Sequence, residues 1–155
     1  MVADTIHAGC VVVGPLGILV RGRSGSGKSA LADLMIQSAR LNGNFAALVS
    51  DDRTCLATKG RALIASVPGE LAGMLEVRYF AIQATDYEAE AVVRLVVDFV
   101  DRQDIERLPE DPLPLVEIQG HLLPLLQVPE TDFFSAIRLV RWALIQLFPN
   151  SPVYV

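Results

Sequence analysis

The chain has 155 residues and a net charge of −5, and 52% of its residues are hydrophobic. A chain of this length can bury a substantial core, so we expect a single domain over residues 1–155. The composition excludes a disordered polypeptide. The excess of acids argues against a nucleic-acid partner, because phosphate backbones attract clustered Lys and Arg. No signal-like leader or bilayer-length apolar run is visible, which favours a cytoplasmic protein without a membrane partner.

A β-hairpin is predicted near the N-terminus. Two short apolar runs, 10–13 and 18–20, flank the turn sequence 14–17, as in a pair of antiparallel strands. From Lys28 onward the apolar residues recur at helical spacing, and residues 42–43 (Asn-Gly) supply a C-terminal stop. The predicted order is therefore strand, glycine-rich segment, helix.

Four further strands are predicted after the first helix. They cover residues 46–49, 61–67, 77–82 and 91–100, and the last is apolar on both faces, which is typical of a central strand. The segment between 70 and 75 is predicted to be a short helix or turn. The polar, proline-containing segment 101–114 is predicted to be a loop.

A second hairpin and a closing helix complete the predicted elements. Residues 115–118 and 122–128 form the hairpin, with Pro124 moving the return strand towards an edge. The helix is entered through Thr131 and Asp132 and ended by Pro149. Its apolar face comprises Phe133, Ile137, Val140, Leu144 and Leu147. The fold class is therefore α/β, with a mixed sheet, an N-terminal β-hairpin and a C-terminal helix.

Residues 22–29 have the G-x-x-x-x-G-K-S pattern of a phosphate-binding loop. The glycines let successive N–H groups face inward onto phosphate oxygens, and the helix that follows adds its N-terminal dipole. In this motif the lysine reaches the β- and γ-phosphates and the serine hydroxyl coordinates Mg²⁺. A nucleotide and Mg²⁺ are therefore the predicted ligands of this segment. The predicted nucleotide-binding residues are Gly22, Arg23, Ser24, Gly25, Ser26, Gly27, Lys28 and Ser29.

Two groups of charged residues follow the phosphate loop. Asp51 and Asp52 come after an apolar strand, where one carboxylate can accept a proton from an attacking hydroxyl and the other can orient the metal. Glu76 and Arg78 alternate along an extended segment and so share one face. There they could serve Mg²⁺ and the γ-phosphate respectively. These residues indicate phosphoryl transfer.

Several of these motifs occur together in the order found in one family. They are His7-Ala8-Gly9-Cys10, the phosphate loop, Val49-Ser50-Asp51-Asp52-Arg53, Leu75-Glu76-Val77-Arg78 and Glu106-Arg107-Leu108. Over residues 5–125 the chain resembles the C-terminal kinase domain of bacterial HPr kinase/phosphorylase. Short forms of this kind resemble those of alpha-proteobacteria.

The resemblance implies an ATP-dependent P-loop kinase that phosphorylates a serine of HPr, the phosphocarrier protein of the sugar phosphotransferase system, or of a paralogue. It also implies a homo-oligomer, a hexamer in the family. By the same matching, Asp51 accepts the proton of the substrate serine, and Lys28 and His7 are active-site residues. Ser29 and Glu76 would hold Mg²⁺.

The resemblance also assigns stabilisation of the transferring phosphate to Arg107.

The chain departs from the family at several places. Tyr79 stands where the family has glycine, and the segment 39–45 is longer than in the family. Residues 128–132 are acidic, through Glu130, where the family has a basic stretch tied to phosphorolysis. The kinase direction is therefore favoured over phosphorolysis.

Two other functions remain open on the residues alone. A small-metabolite kinase would use the same phosphate loop, although such enzymes usually close an arginine-containing lid and only Arg102 and Arg107 offer sparse candidates. A nucleotide-sensing regulatory protein would bind ATP without catalysing transfer.

Overall fold

The computed structural model describes residues 4–155, which form a curled mixed sheet with two helices. The strands are β1 (Asp4–Ile6), β2 (Ala8–Val13), β3 (Leu16–Arg21), β4 (Ala46–Ser50), β5 (Thr54–Lys59), β6 (Ala62–Ser66), β7 (Met74–Val77), β8 (Ala81–Ala84), β9 (Glu90–Val100), β10 (Leu115–Ile118) and β11 (His121–Pro129). The helices are α1 (Lys28–Leu41) and α2 (Phe133–Leu147). Neither helix of the described chain is long and apolar enough to cross a membrane.

The long strand β9 organises the sheet. β3 lies parallel to it on one side. On the other side β6 pairs antiparallel with its first residues and β11 pairs parallel with its last residues. The continuous sheet order is β1-β5-β6-β9-β3-β2-β4, with β10 reached through β11. The central position predicted for residues 91–100 is therefore confirmed.

Burial on both faces of the sheet explains the continuous apolar runs of the central strands. One face packs against the two helices, and the other packs against β5, β6 and β10. Alternate residues of β2 enter opposite layers, because side chains along a strand point alternately to its two faces. Val11 and Val13 join the helical layer, whereas Cys10 and Val12 join the second layer.

Both predicted helices are confirmed. α1 begins at Lys28 and ends at Leu41, and the chain leaves it through Asn42 and Gly43, whose φ is 79°. The N-cap of α2 is Asp132, whose side chain accepts a hydrogen bond from the Ser135 amide at 3.0 Å. The N-terminal hairpin is also confirmed, as β2 and β3 pair antiparallel.

The predicted strand over residues 77–82 is wrong. β7 ends at Val77, the chain turns, and β8 begins at Ala81. At the turn Tyr79 has a φ of 68°, and the Phe80 amide donates to the Val77 carbonyl at 3.0 Å. The apolar residues on both sides of this turn had concealed it in the sequence. β7 and β8 form a separate two-stranded hairpin.

Other strands differ less from expectation. β1 and β5 were not predicted, because their residues are partly polar and short in span. Pro124 lies where β11 stops pairing with β10 and begins to pair with β9. Among the described strands each half of β11 thus has a neighbour on one side only, as expected for an edge.

Candidate active site

The phosphate loop, residues 22–29, connects β3 to α1. Its backbone requires glycine at two points, since Gly25 has a φ of 80° and Gly27 a φ of 119°. Gly22 is required for a different reason: an added Cβ would lie 2.6 Å from Ser26 Oγ. Arg23, Ser24 and Gly25 form the exposed part of the loop. A strand, a glycine-rich turn and a helix N-terminus thus meet as the sequence predicted.

Lys28 lies inside the loop. Its side chain is buried, and Nζ donates to the carbonyl oxygens of Gly22 at 2.9 Å and Arg23 at 3.1 Å. Ser26 Oγ is also buried, and within the described residues it has no hydrogen-bond partner. A buried ammonium and an unpartnered hydroxyl next to the N-terminus of a helix suit the binding of a polyanion.

Asp51 connects the loop to the β7–β8 hairpin. It follows β4, and Oδ1 accepts a hydrogen bond from Ser29 Oγ at 2.6 Å. Its Oδ2 accepts from the Glu76 amide at 2.8 Å. Three residues predicted from separate parts of the sequence therefore meet at one carboxylate.

Asp52 lies beside Asp51 and pairs with His7. His7 Nε2 and Asp52 Oδ1 are 2.5 Å apart, and Lys28 Nζ is 3.9 Å from the same oxygen. The backbone of Asp52 is left-handed, with a φ of 64°. Because of this turn, the two consecutive aspartates contact different partners.

Hydroxyl groups fix the turn after β4 against the start of β2. Ser50 Oγ and Thr54 Oγ1 are 2.6 Å apart, and Thr54 Oγ1 donates to the Ala8 carbonyl at 2.7 Å. Both hydroxyl residues are fully buried. This network explains how His7, which immediately precedes β2, comes to lie beside Asp52.

The β7–β8 hairpin brings Arg78 to the loop. Its guanidinium Nη1 lies 3.6 Å from the position that a Cβ on Gly25 would occupy. Leu75 anchors the hairpin in the helical layer. The Glu76 side chain is exposed, and only its backbone contacts Asp51. Arg78 is thus positioned to contact an anion in the loop.

The neighbourhood of Ser29 offers the oxygen donors that Mg²⁺ prefers, a hydroxyl and carboxylates. Within residues 4–155 no group of three or more His, Cys, Asp or Glu side chains could hold a metal by itself. Mg²⁺ in phosphoryl-transfer sites commonly uses one or two carboxylates together with substrate phosphates and waters. The residues present fit such a site.

The chain resembles known proteins in both its sequence and its fold. The chain is 28% identical, over 94% of its length, to the HPr kinase/phosphorylase of Mycoplasma mycoides subsp. mycoides SC, and spans 48% of that relative. The solved HPr(Ser) kinase/phosphatase of Coxiella burnetii superposes with a TM-score of 0.76 at 23% identity, covering 93% of this chain and 92% of that one. The resemblance to the HPr kinase/phosphorylase family is confirmed. No family model matches the chain.

The fold is that of the HPr kinase catalytic domain, a curled mixed sheet with two helices, of which the second is C-terminal. The chain covers about half the length of the HPr kinase/phosphorylase from Mycoplasma. At 23% identity the likeness to the Coxiella structure establishes the fold.

Arg107 is the predicted site residue that the structure does not bring to the phosphate loop. It lies in the wall of a different cavity, of about 1040 Å³, between the segment 101–114 and α2. Arg102 and Arg138 line the same cavity, which also contains Trp142. The loop residues 22–29 are not part of its lining.

Sequence reasoning missed three contacts between the phosphate loop and the connection that leads into α2. Arg23 pairs with Glu130, and the Ser26 carbonyl accepts from the Thr131 amide. The Phe133 ring lies against Gly27. The partners lie more than a hundred residues apart in the chain, so no local pattern could have indicated these contacts.

Proposed function

We propose that the chain is a Mg²⁺- and ATP-dependent kinase of the HPr kinase/phosphorylase type, which phosphorylates a serine of HPr or of a paralogous phosphocarrier protein. The observation that carries this proposal is the 2.6 Å hydrogen bond from Ser29 of the phosphate loop to the Asp51 carboxylate. A phosphate loop alone accounts only for nucleotide binding. A carboxylate held beside it supplies a proton acceptor where the γ-phosphate would meet a hydroxyl.

In this proposal the residues of the chain bind the nucleotide, orient the substrate serine and accept its proton. The loop amides and Lys28 bind the phosphates, and Ser29 and Glu76 hold Mg²⁺. Mg²⁺, when bound, neutralises charge on the β- and γ-phosphates. Asp51 accepts the proton of the serine hydroxyl through a carboxylate that Ser29 and the Glu76 amide keep in place.

Four further residues belong to the proposed site. The pair of His7 and Asp52 borders the loop beside Lys28, where it can orient the incoming serine. Arg78 lies against Gly25 and can balance negative charge on the transferring phosphate. Arg107 belongs to the set through the family resemblance.

The kinase direction is the one we propose. Glu130 Oε2 lies 2.7 Å from Arg23 Nε, so a carboxylate stands beside the phosphate loop. The family that the chain resembles has a basic stretch tied to phosphorolysis where this chain has Glu130, so the chain lacks the positive charge that would hold a free phosphate ion there. We further propose, from the family resemblance, that the protein assembles as a homo-oligomer.

In the decisive experiment, the purified protein is incubated with Mg-ATP and the HPr of its host, and the intact mass of HPr is then measured. We expect HPr to gain one phosphate. Asp51→Asn should lose this transfer while it retains ATP binding, since the carboxylate is needed for the proton and the loop for the nucleotide. Asp33→Asn is the matched control, because Asp33 is an exposed acid on α1.

The alternatives predict different results in the same assay. ATP binding without transfer to HPr would support a nucleotide-sensing regulatory protein. ATP turnover that only a metabolite stimulates would support a small-metabolite kinase.

A further inference from the structure

The connection between β11 and α2, together with the first residue of α2, contacts the phosphate loop at three points. We call residues 130–133 the clamp segment. Glu130 Oε2 accepts from Arg23 Nε at 2.7 Å, and the Thr131 amide donates to the Ser26 carbonyl at 3.0 Å. At the third point the Phe133 ring approaches Gly27, where an added Cβ would lie 2.4 Å from Phe133 Cε1. One short segment thus contacts the outer side of the loop along most of its length.

The Thr131 contact determines which way a loop peptide faces. When successive amides of such a loop point inward to an anion, some of its carbonyls must point outward. Ser26 is only 1% exposed, so its outward carbonyl requires a donor from the protein. The Thr131 amide is that donor, and it stabilises the orientation in which neighbouring amides can face phosphate.

Thr131 makes this hydrogen bond from an unfavourable backbone conformation. Its φ is 59°, which is rare for a β-branched residue. Two hydrogen bonds anchor the strained turn: the Glu130 amide donates to the Val100 carbonyl at 3.0 Å, and Thr131 Oγ1 donates to the Glu130 carbonyl at 2.7 Å. Backbone strain that is retained at a contact with a binding loop suggests a functional constraint.

The negative charge of Glu130 is unexpected next to a loop that binds an anion. A carboxylate close to an anion site should weaken phosphate binding if it acts only through its charge. Yet the Glu130 side chain is only 13% exposed, while its partner Arg23 is 76% exposed. The pair therefore holds an exposed loop arginine against a largely buried carboxylate, which favours binding by reducing the conformational freedom of the loop.

We infer that Glu130 and Thr131 are positioning residues for nucleotide binding: the Thr131 amide holds the Ser26 carbonyl outward, and Glu130 fixes the loop through Arg23. This inference rests on the proposed binding of Mg-ATP at the loop. Neither residue touches the nucleotide in this role, so both act through the loop.

The first test is a double-mutant cycle on the ion pair, read as the Mg-ATP dissociation constant by calorimetry without any HPr. We expect Glu130→Gln to weaken binding about 1.5-fold to fivefold, the range of one partly exposed ion pair. In an Arg23→Gln background the same substitution should have no effect, because Glu130 acts only through Arg23. The unfolding midpoint without nucleotide should be unchanged in all variants, which separates positioning from structural support.

The second test addresses the Thr131 amide. Thr131→Gly keeps the N–H and relieves the strain, so binding should stay within about twofold of wild type. Thr131→Pro removes the donor and cannot adopt a positive φ, so we expect binding to weaken more than tenfold. If Thr131→Pro fails to fold, replacing Thr131 with the corresponding α-hydroxy acid removes the same N–H without restricting φ, and the same weakening of binding is expected.

Several outcomes would overturn the inference. An affinity of Glu130→Gln equal to that of the wild type, or tighter as a purely electrostatic role requires, would refute positioning by Glu130. An equal effect of Glu130→Gln in both backgrounds would show that it does not act through Arg23. A folded Thr131→Pro variant with wild-type affinity would show that the Thr131 amide does not position the loop for nucleotide binding. A wild-type chain that does not bind Mg-ATP would refute both the proposed function and the inference about the clamp segment. The other outcomes would refute only the inference, because nucleotide binding would still be observed.

Discussion

At the scale of single residues, Gly27 shows how sterics alone can determine the composition of the phosphate loop. Its φ of 119° is unfavourable for any residue with a side chain, and an added Cβ would lie 2.4 Å from Phe133 Cε1. We expect Gly27→Ala to destabilise the fold by about 2 to 4 kcal/mol, through strain and overpacking together. Mg-ATP binding should also be lost, because the loop must move to relieve the clash.

Gly43→Ala provides the matched control for this substitution. Gly43 also has a positive φ, of 79°, but an added Cβ would meet no atom within 4 Å. We expect a cost of about 1 to 2 kcal/mol from backbone strain alone, with Mg-ATP affinity retained. Urea denaturation and calorimetry measure the two effects. Equal destabilisation by both substitutions would contradict the steric role of Phe133.

The two cysteines should differ in reactivity. Cys10 is fully buried, and burial raises the pKa of its thiol to about 12, whereas Cys55 is half-buried. Because the thiolate is the reactive form, Cys10 stays protonated and inaccessible at pH 8. A chromogenic disulfide reagent should therefore modify one thiol per native chain, Cys55, and a second only after unfolding. Rapid modification of both thiols in the native protein would contradict this prediction.

At the scale of elements, Asp132 at the start of α2 makes the stability of the fold depend on pH. Hydrogen bonds from the Ser135 amide and hydroxyl lower the pKa of the Asp132 carboxyl, with a smaller contribution from the Arg102 guanidinium. Since its folded-state pKa lies below the unfolded value of about 3.9, ionised Asp132 stabilises the fold above that pH. This contribution is lost as the pH falls through the folded-state pKa.

Asp132→Asn tests this dependence, because asparagine is also a good N-cap but carries no charge. At pH 7 the variant should have a lower urea midpoint than the wild type. The difference should shrink below about pH 4 as the wild-type carboxyl becomes protonated. A difference that is independent of pH would show that shape, and not charge, determines the cap.

The elements that sequence reasoning predicted well are those whose signals lie within the element itself or next to it in the chain. α1 combines helical periodicity with the Asn42–Gly43 stop, and β9 is apolar on both faces. The strand predicted over residues 77–82 was wrong because its turn depends on a positive φ at Tyr79, and a tyrosine does not indicate that conformation. The hairpin that results brings Arg78 to Gly25, so the misplaced element is part of the candidate site.

At the scale of the whole molecule, one part of the candidate site can be predicted from local sequence motifs, whereas another part arises only when the chain folds. The phosphate loop and Asp51 were predictable, because the loop is contiguous and the acid follows a strand. The pairing of Arg23 with Glu130 was not, since the two residues are 107 positions apart. Folding over such distances depends on sheet order and packing, which no short motif encodes.

Binding of Mg-ATP should stabilise the molecule as a whole, because a ligand that binds only the folded state shifts the unfolding equilibrium. At a hundredfold excess over the dissociation constant we expect the unfolding midpoint to rise by about 5 to 10 °C. EDTA should remove most of this increase by withdrawing Mg²⁺ from the proposed ligands Ser29 and Glu76. Differential scanning fluorimetry measures both effects.

The two lysines of the chain, Lys28 and Lys59, make a matched pair of variants for this experiment. Lys28→Met keeps most of the buried stem but removes the ammonium that lies within the phosphate loop, so the increase with Mg-ATP should disappear. Lys59→Met removes an exposed ammonium that pairs with Glu90, so the full increase should remain. If Lys28→Met were stabilised as strongly as wild type, the nucleotide would have to bind elsewhere, and the phosphate loop would not be the donor site.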